Sequence, residues 1–208
     1  MKHPNKSKTG KRLLAAGAVC LAAAAALFVY NIISDSYAGS YSHRIVNEMT
    51  EYISQQKTDR EPDSSSVSSS DNSQARKGIS SVFSSDGCDY IGYLTIPSLE
   101  LELPVASSWS YDRLNLTPCR YSGSLVTRDL VIAGHNYDSH FGRIGSLPEG
   151  SEVIFTNVMG DSFHYVTVLT ESLSPDETVR MTCSGYDLSL FTCNLMGTER
   201  VTVRCRKR

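Results

Sequence analysis

The chain has 208 residues, a formal net charge of −2 and a hydrophobic fraction of 40%. This length allows one domain of ordinary size plus appendages. The mildly acidic balance lacks the basic excess of nucleic-acid-binding proteins, so we expect no nucleic-acid partner.

The N-terminus has the pattern of a membrane anchor. Residues 1–12 hold five basic side chains and no acid, and residues 13–33 follow without a charge. At ~1.5 Å per residue, a helix of that length crosses the ~30 Å hydrocarbon core of a bilayer. We predict a cytoplasmic tail at 1–12, a transmembrane anchor at 13–33 and an external C-terminus, because basic flanks stay in the cytoplasm. The alternative is a cleaved signal peptide, but such peptides have apolar regions of ~7–15 residues, and Ser36-Tyr-Ala38 is a poor cleavage site.

Residues 34–86 form the next predicted region. Apolar residues about four apart, such as Tyr37, Tyr41 and Ile45, indicate a juxtamembrane helix at 34–57, for which we prefer the role of a spacer. Residues 58–86 are rich in serine and poor in large apolar side chains, which is typical of a flexible linker. This linker would provide reach between the membrane and a domain at 87–208.

Short strand patterns dominate the predicted domain. Leu99-Glu-Leu-Glu-Leu103 alternates strictly between Pro97 and Pro104, and Ser139 to Leu147 is a candidate short helix. The predicted strands are Tyr90–Ile96, Leu99–Leu103, Asp129–Ala133, Glu152–Thr156, Ser162–Leu169, Glu177–Thr182, Leu188–Cys193 and Arg200–Cys205. About eight short strands with few helical stretches predict an all-β barrel or sandwich with short helices.

The last two predicted strands place a cysteine and an arginine together. Cys193 ends one strand and Arg200 begins the next, so the loop between them brings the thiol and the guanidinium within a few ångströms. The thiolate is the reactive form of cysteine, and a neighbouring cation stabilises it. Arg204 is the competing arginine, but it lies about 13 Å along the strand from Arg200 at ~3.3 Å per residue. Each residue alone has a structural explanation, as a buried thiol or a solvated charge.

A histidine completes the candidate site. His135 follows the apolar run Val131-Ile-Ala-Gly, at what we predict to be a strand end. An imidazole near a thiol can donate or accept a proton during acyl transfer. We place His140 at the rim of the site and His164 on the surface. The six cysteines show no Cys-x-x-Cys spacing, so we expect no metal or other cofactor. The sequence leaves both paired and free cysteines as alternatives.

Three segments together resemble the sortases, cysteine transpeptidases of Gram-positive cell surfaces. Tyr93-Leu-Thr-Ile-Pro97 resembles their first strand, Ala133-Gly-His135-Asn136 their histidine segment, and Ser189-Leu-Phe-Thr-Cys193 with Arg200 their cysteine signature. Residues 136–144 are most similar to class B-like members. Ser189 departs from the more common threonine, and no Asp-Pro-aromatic lid segment of the pilin-polymerising members is present in the sequence.

The resemblance implies a closed sortase-type β-barrel and a single-pass membrane enzyme with an external catalytic domain. Its catalytic residues would be Cys193, His135 and Arg200, with substrate contacts from Asn136, Thr192 and His140. Its partners would be exported proteins bearing a C-terminal LPxTG-like sorting signal and a cell-wall peptide precursor that supplies the accepting amine. Two alternatives remain: a cysteine endopeptidase using the same residues, and a non-catalytic membrane-anchored binding module.

Overall fold

The computed structural model describes residues 6–59 and 82–208. The chain divides into two compact units, Met1–Tyr37 and Ala38–Arg208. Helix α1, Lys6–Asp59, begins in the first unit and ends in the second. By length and composition it is the one helix of the described residues that could cross a membrane. Most of the predicted serine-rich linker falls on residues 60–81, outside the described residues.

Nine strands and two further short helices follow α1 among the described residues. The strands are β1 Phe83–Ser85, β2 Cys88–Ile96, β3 Leu101–Ala106, β4 Cys119–Ser122, β5 Leu130–Ala133, β6 Glu152–Asn157, β7 Ser162–Leu173, β8 Leu188–Cys193 and β9 Arg200–Lys207. The helices are α2 Tyr111–Leu114 and α3 Thr178–Thr182, with 3-10 turns at Pro97–Leu99 and Ile144–Ser146.

The strands close into a barrel. Their order is β1-β2-β3-β4-β5-β8-β9-β7-β6, and β6 also pairs with β2. This last pairing closes the eight strands from β2 through β9 into one ring. Among the described strands, β1 is an addition that pairs only with β2. The β3–β4 and β5–β8 pairs are parallel and the others antiparallel, so the barrel is mixed. The predicted all-β barrel of about eight strands is therefore confirmed.

Alternation along the strands decides which side chains fill the barrel and which lie outside. In β5 and β8, Leu130, Ile132, Leu188 and Leu190 belong to the interior core. Their neighbours Val131, Ala133 and Phe191 pack on the outer wall against Leu173 and Met181. Because successive side chains of a strand point to opposite faces, Ser189, Phe191 and Cys193 share that outer wall. The candidate site therefore lies on the outside of the barrel.

The second half of α1 is packed against the barrel. Ile45, Met49 and Ile53 recur every four residues and are buried in one cluster with Tyr90 and other residues of the barrel wall. Nearby, the hydroxyls of Tyr41 and Tyr90 lie 2.8 Å apart. Each fully buried side chain of this kind stabilises the packing by about 1.5–3 kcal/mol. This part of α1 is thus a structural element of the second unit, where the sequence favoured a spacer.

The predicted strand Glu177–Thr182 is wrong, because this segment forms helix α3 instead. Residues 174–177 form a turn before this helix, in which Glu177 N–H donates to the Ser174 carbonyl at 3.0 Å. The carboxylate of Glu177 accepts a hydrogen bond from the backbone N–H of Ser174 at 2.8 Å. This turn leads directly into the helix, which the strand-like composition of residues 177–182 did not predict.

The first hairpin differs from the prediction at its boundaries. Leu99 belongs to a 3-10 turn, Glu100 adopts a left-handed conformation with φ of 55°, and β3 runs on through Pro104. The register between β3 and β4 consists of the pair Ala106–Cys119, so Pro104 has no register partner on β4. Proline is tolerated there because a ladder hydrogen bond to β4 is not required.

Candidate active site

The β8–β9 hairpin sets Cys193 directly opposite Arg200. Residues 194–199 form the connecting loop, in which Asn194 N–H donates to the Glu199 carbonyl at 2.9 Å. The Asn194 side chain accepts a hydrogen bond from Thr198 N–H at 2.9 Å, and Gly197 supplies the positive φ of 70° that the turn requires. The short loop thus fixes the last residue of one strand against the first residue of the next.

Arg200 contacts the thiol. Its Nη1 lies 3.1 Å from Cys193 Sγ and 3.5 Å from the Gly197 carbonyl oxygen. Cys193 is partly exposed and forms no disulfide. The guanidinium donates one hydrogen bond to the sulfur, and its remaining N–H donors can bind a carbonyl oxygen. The two residues therefore set a nucleophilic sulfur beside donors that can hold the group that it attacks.

The parallel pairing of β5 with β8 carries His135 toward Cys193. Ala133 is the register partner of Phe191, and Gly134 N–H donates to the Phe191 carbonyl at 2.9 Å, which extends the ladder beyond the strand. His135 lies two residues after Ala133, and Cys193 lies two residues after Phe191. Because β5 and β8 are parallel, His135 and Cys193 follow the same end of two strands that lie about 4.8 Å apart.

Two aromatic rings define the immediate surroundings of His135. Gly134 passes so close to Phe141 that a Cβ built on it would lie 2.4 Å from the ring, so no side chain fits there. The His135 ring stacks on Tyr137, with centroids 3.9 Å apart and planes inclined by 21°. The sequence did not single out Tyr137, because its part in the site depends on how the loop turns back on itself.

A cleft of about 360 Å³ opens beside the thiol. It is lined by Asn136, Gly142, Gly145, Thr192, Cys193, Asn194, Leu195, Met196 and Val201. Asn136 and Thr192, both predicted substrate contacts, thus lie at the cleft. Among the described residues Thr192 Oγ1 is buried and has no hydrogen-bond partner. Leu195 and Met196, which the sequence did not mark, are almost fully exposed at 95% and 87%.

A smaller depression lies next to Arg200 on the outer wall. Tyr121, Phe191, Arg200 and residues of the β7–β8 connection line it. Tyr121 stands edge-on to Phe191 with centroids 5.2 Å apart, and Trp109 lies 5.8 Å from Tyr121. Arg200 lines this depression and Cys193 lines the cleft, so the pair contacts both recesses. The contribution of Tyr121 could not be predicted, since β4 itself was not recognised in the sequence.

The other two histidines of the barrel unit that we considered line neither the cleft nor the depression. His140 is fully buried, and its Nε2 lies 3.3 Å from Ser42 Oγ of helix α1. The prediction that His140 lines the rim is therefore corrected: its polar ring is buried against the helix and does not line the cleft. His164 contacts Glu152 at 3.1 Å on the surface, as expected.

Arg204 has a structural environment. Its side chain is 1% exposed and pairs with Glu171 at 2.9 Å. It also donates to Ser189 Oγ at 2.8 Å and to the backbone carbonyls of Met181 and Arg180 at 3.1 and 2.7 Å. All of these bonds connect β9 to β7, β8 and α3. Arg204 is therefore committed to the fold, which leaves Arg200 as the arginine beside the thiol.

All six cysteines are unbridged, and they differ widely in exposure. Among the described residues, no three His, Cys, Asp or Glu side chains are grouped so that they could hold a metal ion. Burial raises the pKa of Cys119 to about 12 and that of Cys205 to about 12. Cys183 is exposed and provides an internal reference for reactivity.

We expect a thiol-selective alkylating reagent at pH 8 to modify Cys193 and Cys183 but not Cys119 or Cys205. With a pKa raised to about 12, roughly one buried thiol in ten thousand is ionised at pH 8, and burial also blocks the reagent. Peptide mass mapping of native and denatured protein measures the four sites separately. Protection of Cys193 in the native protein would contradict its assignment as an accessible nucleophile.

Comparison with known proteins agrees with this arrangement. Residues 94–208 match the sortase domain family. Similar solved structures include the sortase D5 transpeptidase of Clostridium perfringens, with 18% identity and a TM-score of 0.59 over 81% of this chain and 99% of that chain. They also include sortase C of Streptococcus pneumoniae, with 18% identity and a TM-score of 0.58 over 79% and 96%.

A third similar structure is the pilus island 1 sortase C2 of group B Streptococcus, with 20% identity and a TM-score of 0.51 over 57% and 74%. These three structures are of classes C and D, and the class B-like resemblance stays a prediction. No curated protein matches the sequence. Because the family match spans more than half of the chain and the barrel agrees with it, the chain belongs to the sortase family.

Proposed function

We propose that the protein is a membrane-anchored cysteine transpeptidase that cleaves an LPxTG-like sorting signal in exported proteins and transfers them to a cell-wall amine. The observation that carries the proposal is the 3.1 Å contact between Arg200 Nη1 and Cys193 Sγ at the mouth of an open cleft. Family membership gives this contact a chemical context, and the register of β5 with β8 adds His135.

In the first half-reaction the Cys193 thiolate attacks the scissile carbonyl carbon, so that a C–S bond forms and the oxygen becomes an oxyanion. Arg200 donates hydrogen bonds to that oxygen. The intermediate collapses, the C–N bond breaks, and protonated His135 gives its proton to the leaving amine. The product is a thioester between Cys193 and the substrate, with His135 left neutral.

In the second half-reaction an amine takes the place of the leaving group. Its nitrogen attacks the thioester carbon, neutral His135 accepts the proton of the attacking amine, and the Cys193 thiolate leaves. A cell-wall peptide precursor would supply this amine. The cleft lined by Asn136, Thr192 and Leu195 gives room beside the thiol for a second reactant.

The membrane location rests on α1. Its apolar segment at 13–33 and the basic residues before it support a single-pass anchor with the N-terminus in the cytoplasm and the catalytic unit outside. Tethering to the same membrane as the substrates raises the effective concentration of enzyme and substrate. The sequence of this chain lacks an Asp-Pro-aromatic lid segment. This absence argues against the pilin specificity of Streptococcus pneumoniae sortase C for this chain.

Two other functions use the same surface differently. A cysteine endopeptidase would use water in place of the amine with the same residues. A binding module would have no use for a reactive thiol and predicts a buried or disulfide-bonded Cys193. Cys193 is instead partly exposed, unbridged and in contact with a cation, which favours an enzyme.

Intact-mass analysis of the full chain in detergent, incubated with a panel of sorting-signal peptides, tests the proposal. We expect one peptide to give an acyl adduct on Cys193 with loss of its C-terminal fragment, and an added amine to convert the adduct into a transfer product. Hydrolysis that an amine cannot divert would indicate an endopeptidase. Absence of any adduct or cleavage across the panel would favour the binding module.

A further inference from the structure

His135 lies on a loop, which alone would not fix the direction of its ring. The loop begins after β5 and runs through residues 134–143, of which 138–143 form turns. The carbonyl of His135 accepts a hydrogen bond from Phe141 N–H at 3.1 Å, so the loop is closed on its own backbone. This bond holds the main chain of His135 but not its imidazole.

Tyr137 supplies a contact that restrains the imidazole. The two rings are nearly parallel at 3.9 Å, and Tyr137 is 9% exposed. The Tyr137 carbonyl accepts hydrogen bonds from His140 N–H at 3.0 Å and Gly142 N–H at 2.8 Å. A Cβ at Gly142 would lie 2.7 Å from that carbonyl oxygen, so the turn that carries Tyr137 has little freedom.

Helix α1 supports this turn from the other side. Ser42 Oγ contacts His140 Nε2 at 3.3 Å, and the His140 ring lies 5.7 Å from the Tyr137 ring. One turn earlier on the same helix face, a Cβ at Gly39 would lie 3.1 Å from Cβ of Ser139. The helix is in turn held on the barrel by its buried apolar face.

We propose that Tyr137 is a positioning residue for His135 and that helix α1 fixes Tyr137 through the Ser42–His140 contact. The proposal rests on the proposed function, because it assigns His135 the proton transfers of both half-reactions. Catalytic groups must be held within about 0.5 Å and 10–20° of the productive geometry. A segment far away in sequence thus becomes part of the catalytic support.

Variants of the full chain test the proposal through the separate values of kcat and KM for peptide transfer. We expect Tyr137→Leu to lower kcat by about 10- to 100-fold with KM unchanged, because a misplaced imidazole slows proton transfer and leaves the binding path intact. Tyr137→Phe keeps the ring and should retain nearly all of the wild-type kcat. The alkylation rate of Cys193 should not change in either variant.

The helix half of the proposal needs its own variants. Gly39→Val should lower kcat as Tyr137→Leu does, because the new side chain pushes α1 away from Ser139. Ser42→Ala removes one hydroxyl and should give a smaller decrease in kcat with the same KM. Ser54→Ala, an exposed position on the same helix, is the matched control and should behave as wild type.

The outcomes separate the two levels of inference. If His135→Ala is inactive while Tyr137→Leu and Gly39→Val keep the wild-type kcat, the positioning role is overturned and the proposed function stands. If His135→Ala itself keeps the wild-type kcat, the catalytic role of His135 fails. Should Tyr137→Leu not fold, Ser42→Ala decides, since a wild-type kcat in that folded variant would overturn the role of the helix.

Discussion

Replacing Cys193 by alanine should abolish transpeptidation, with a loss of about 10⁴-fold or more in the rate of peptide cleavage. The variant has no atom that can form the acyl-enzyme bond, and removal of a nucleophile typically costs this much or more. The fold should persist, because Cys193 is partly exposed at a strand end and does not belong to the barrel core. Cleavage assays and intact-mass analysis measure the effect.

The appropriate control for Cys193→Ala is Cys183→Ala, which removes an exposed thiol outside the cleft. It should retain wild-type activity. Thermal unfolding of both variants should match the parent protein, which shows that lost activity does not reflect lost structure. Measurable turnover by folded Cys193→Ala would remove the thioacyl mechanism.

Replacing Arg200 by lysine should lower kcat/KM by about 100-fold even though the positive charge remains. The guanidinium contacts Cys193 Sγ at 3.1 Å and has further N–H donors in the same plane for the oxyanion. An ammonium is a compact charge that cannot hold both groups in fixed directions, and loss of one oxyanion donor costs about 10²–10³-fold. Steady-state kinetics of peptide transfer measure the change.

Arg206→Lys is the matched control for Arg200→Lys. Arg206 lies on the same strand with its side chain exposed, so the same exchange should leave kcat/KM unchanged. Arg204 is unsuitable for this purpose, because its buried side chain carries hydrogen bonds of the fold. Wild-type kinetics of Arg200→Lys would show that the proposed oxyanion role belongs to another group.

Local sequence patterns predicted most of the strands but not the closure of the barrel. The strict alternation near Leu101 and Leu103 and the apolar runs of β5 and β8 mark their own segments. The β2–β6 pairing that closes the ring joins Leu94 to Phe155, and such a distant pairing depends on tertiary packing. For the same reason β4, held between its neighbours by few residues, gave no clear pattern.

The parts of the candidate site followed the same division. Cys193 and Arg200 are linked by a short loop, so their proximity could be predicted from the sequence alone. The burial of His140 could not, since its contact Ser42 lies 98 residues earlier in the chain. A buried polar ring needs a hydrogen-bond partner, and the residues around His140 do not predict one as distant in sequence as Ser42.

The packing of α1 brings together the described residues on both sides of the serine-rich segment. Ser85 donates to Glu48 at 2.7 Å, Arg44 pairs with Asp86, and the rings of Tyr52 and Phe83 are 5.2 Å apart. The residues on both flanks of 60–81 are therefore clamped together before the segment starts and after it ends. Doubling the length of a loop with fixed ends costs only about 0.6 kcal/mol. Insertions and deletions within residues 60–81 should accordingly be well tolerated during evolution, because they leave the contacts between α1 and residues 83–86 unchanged.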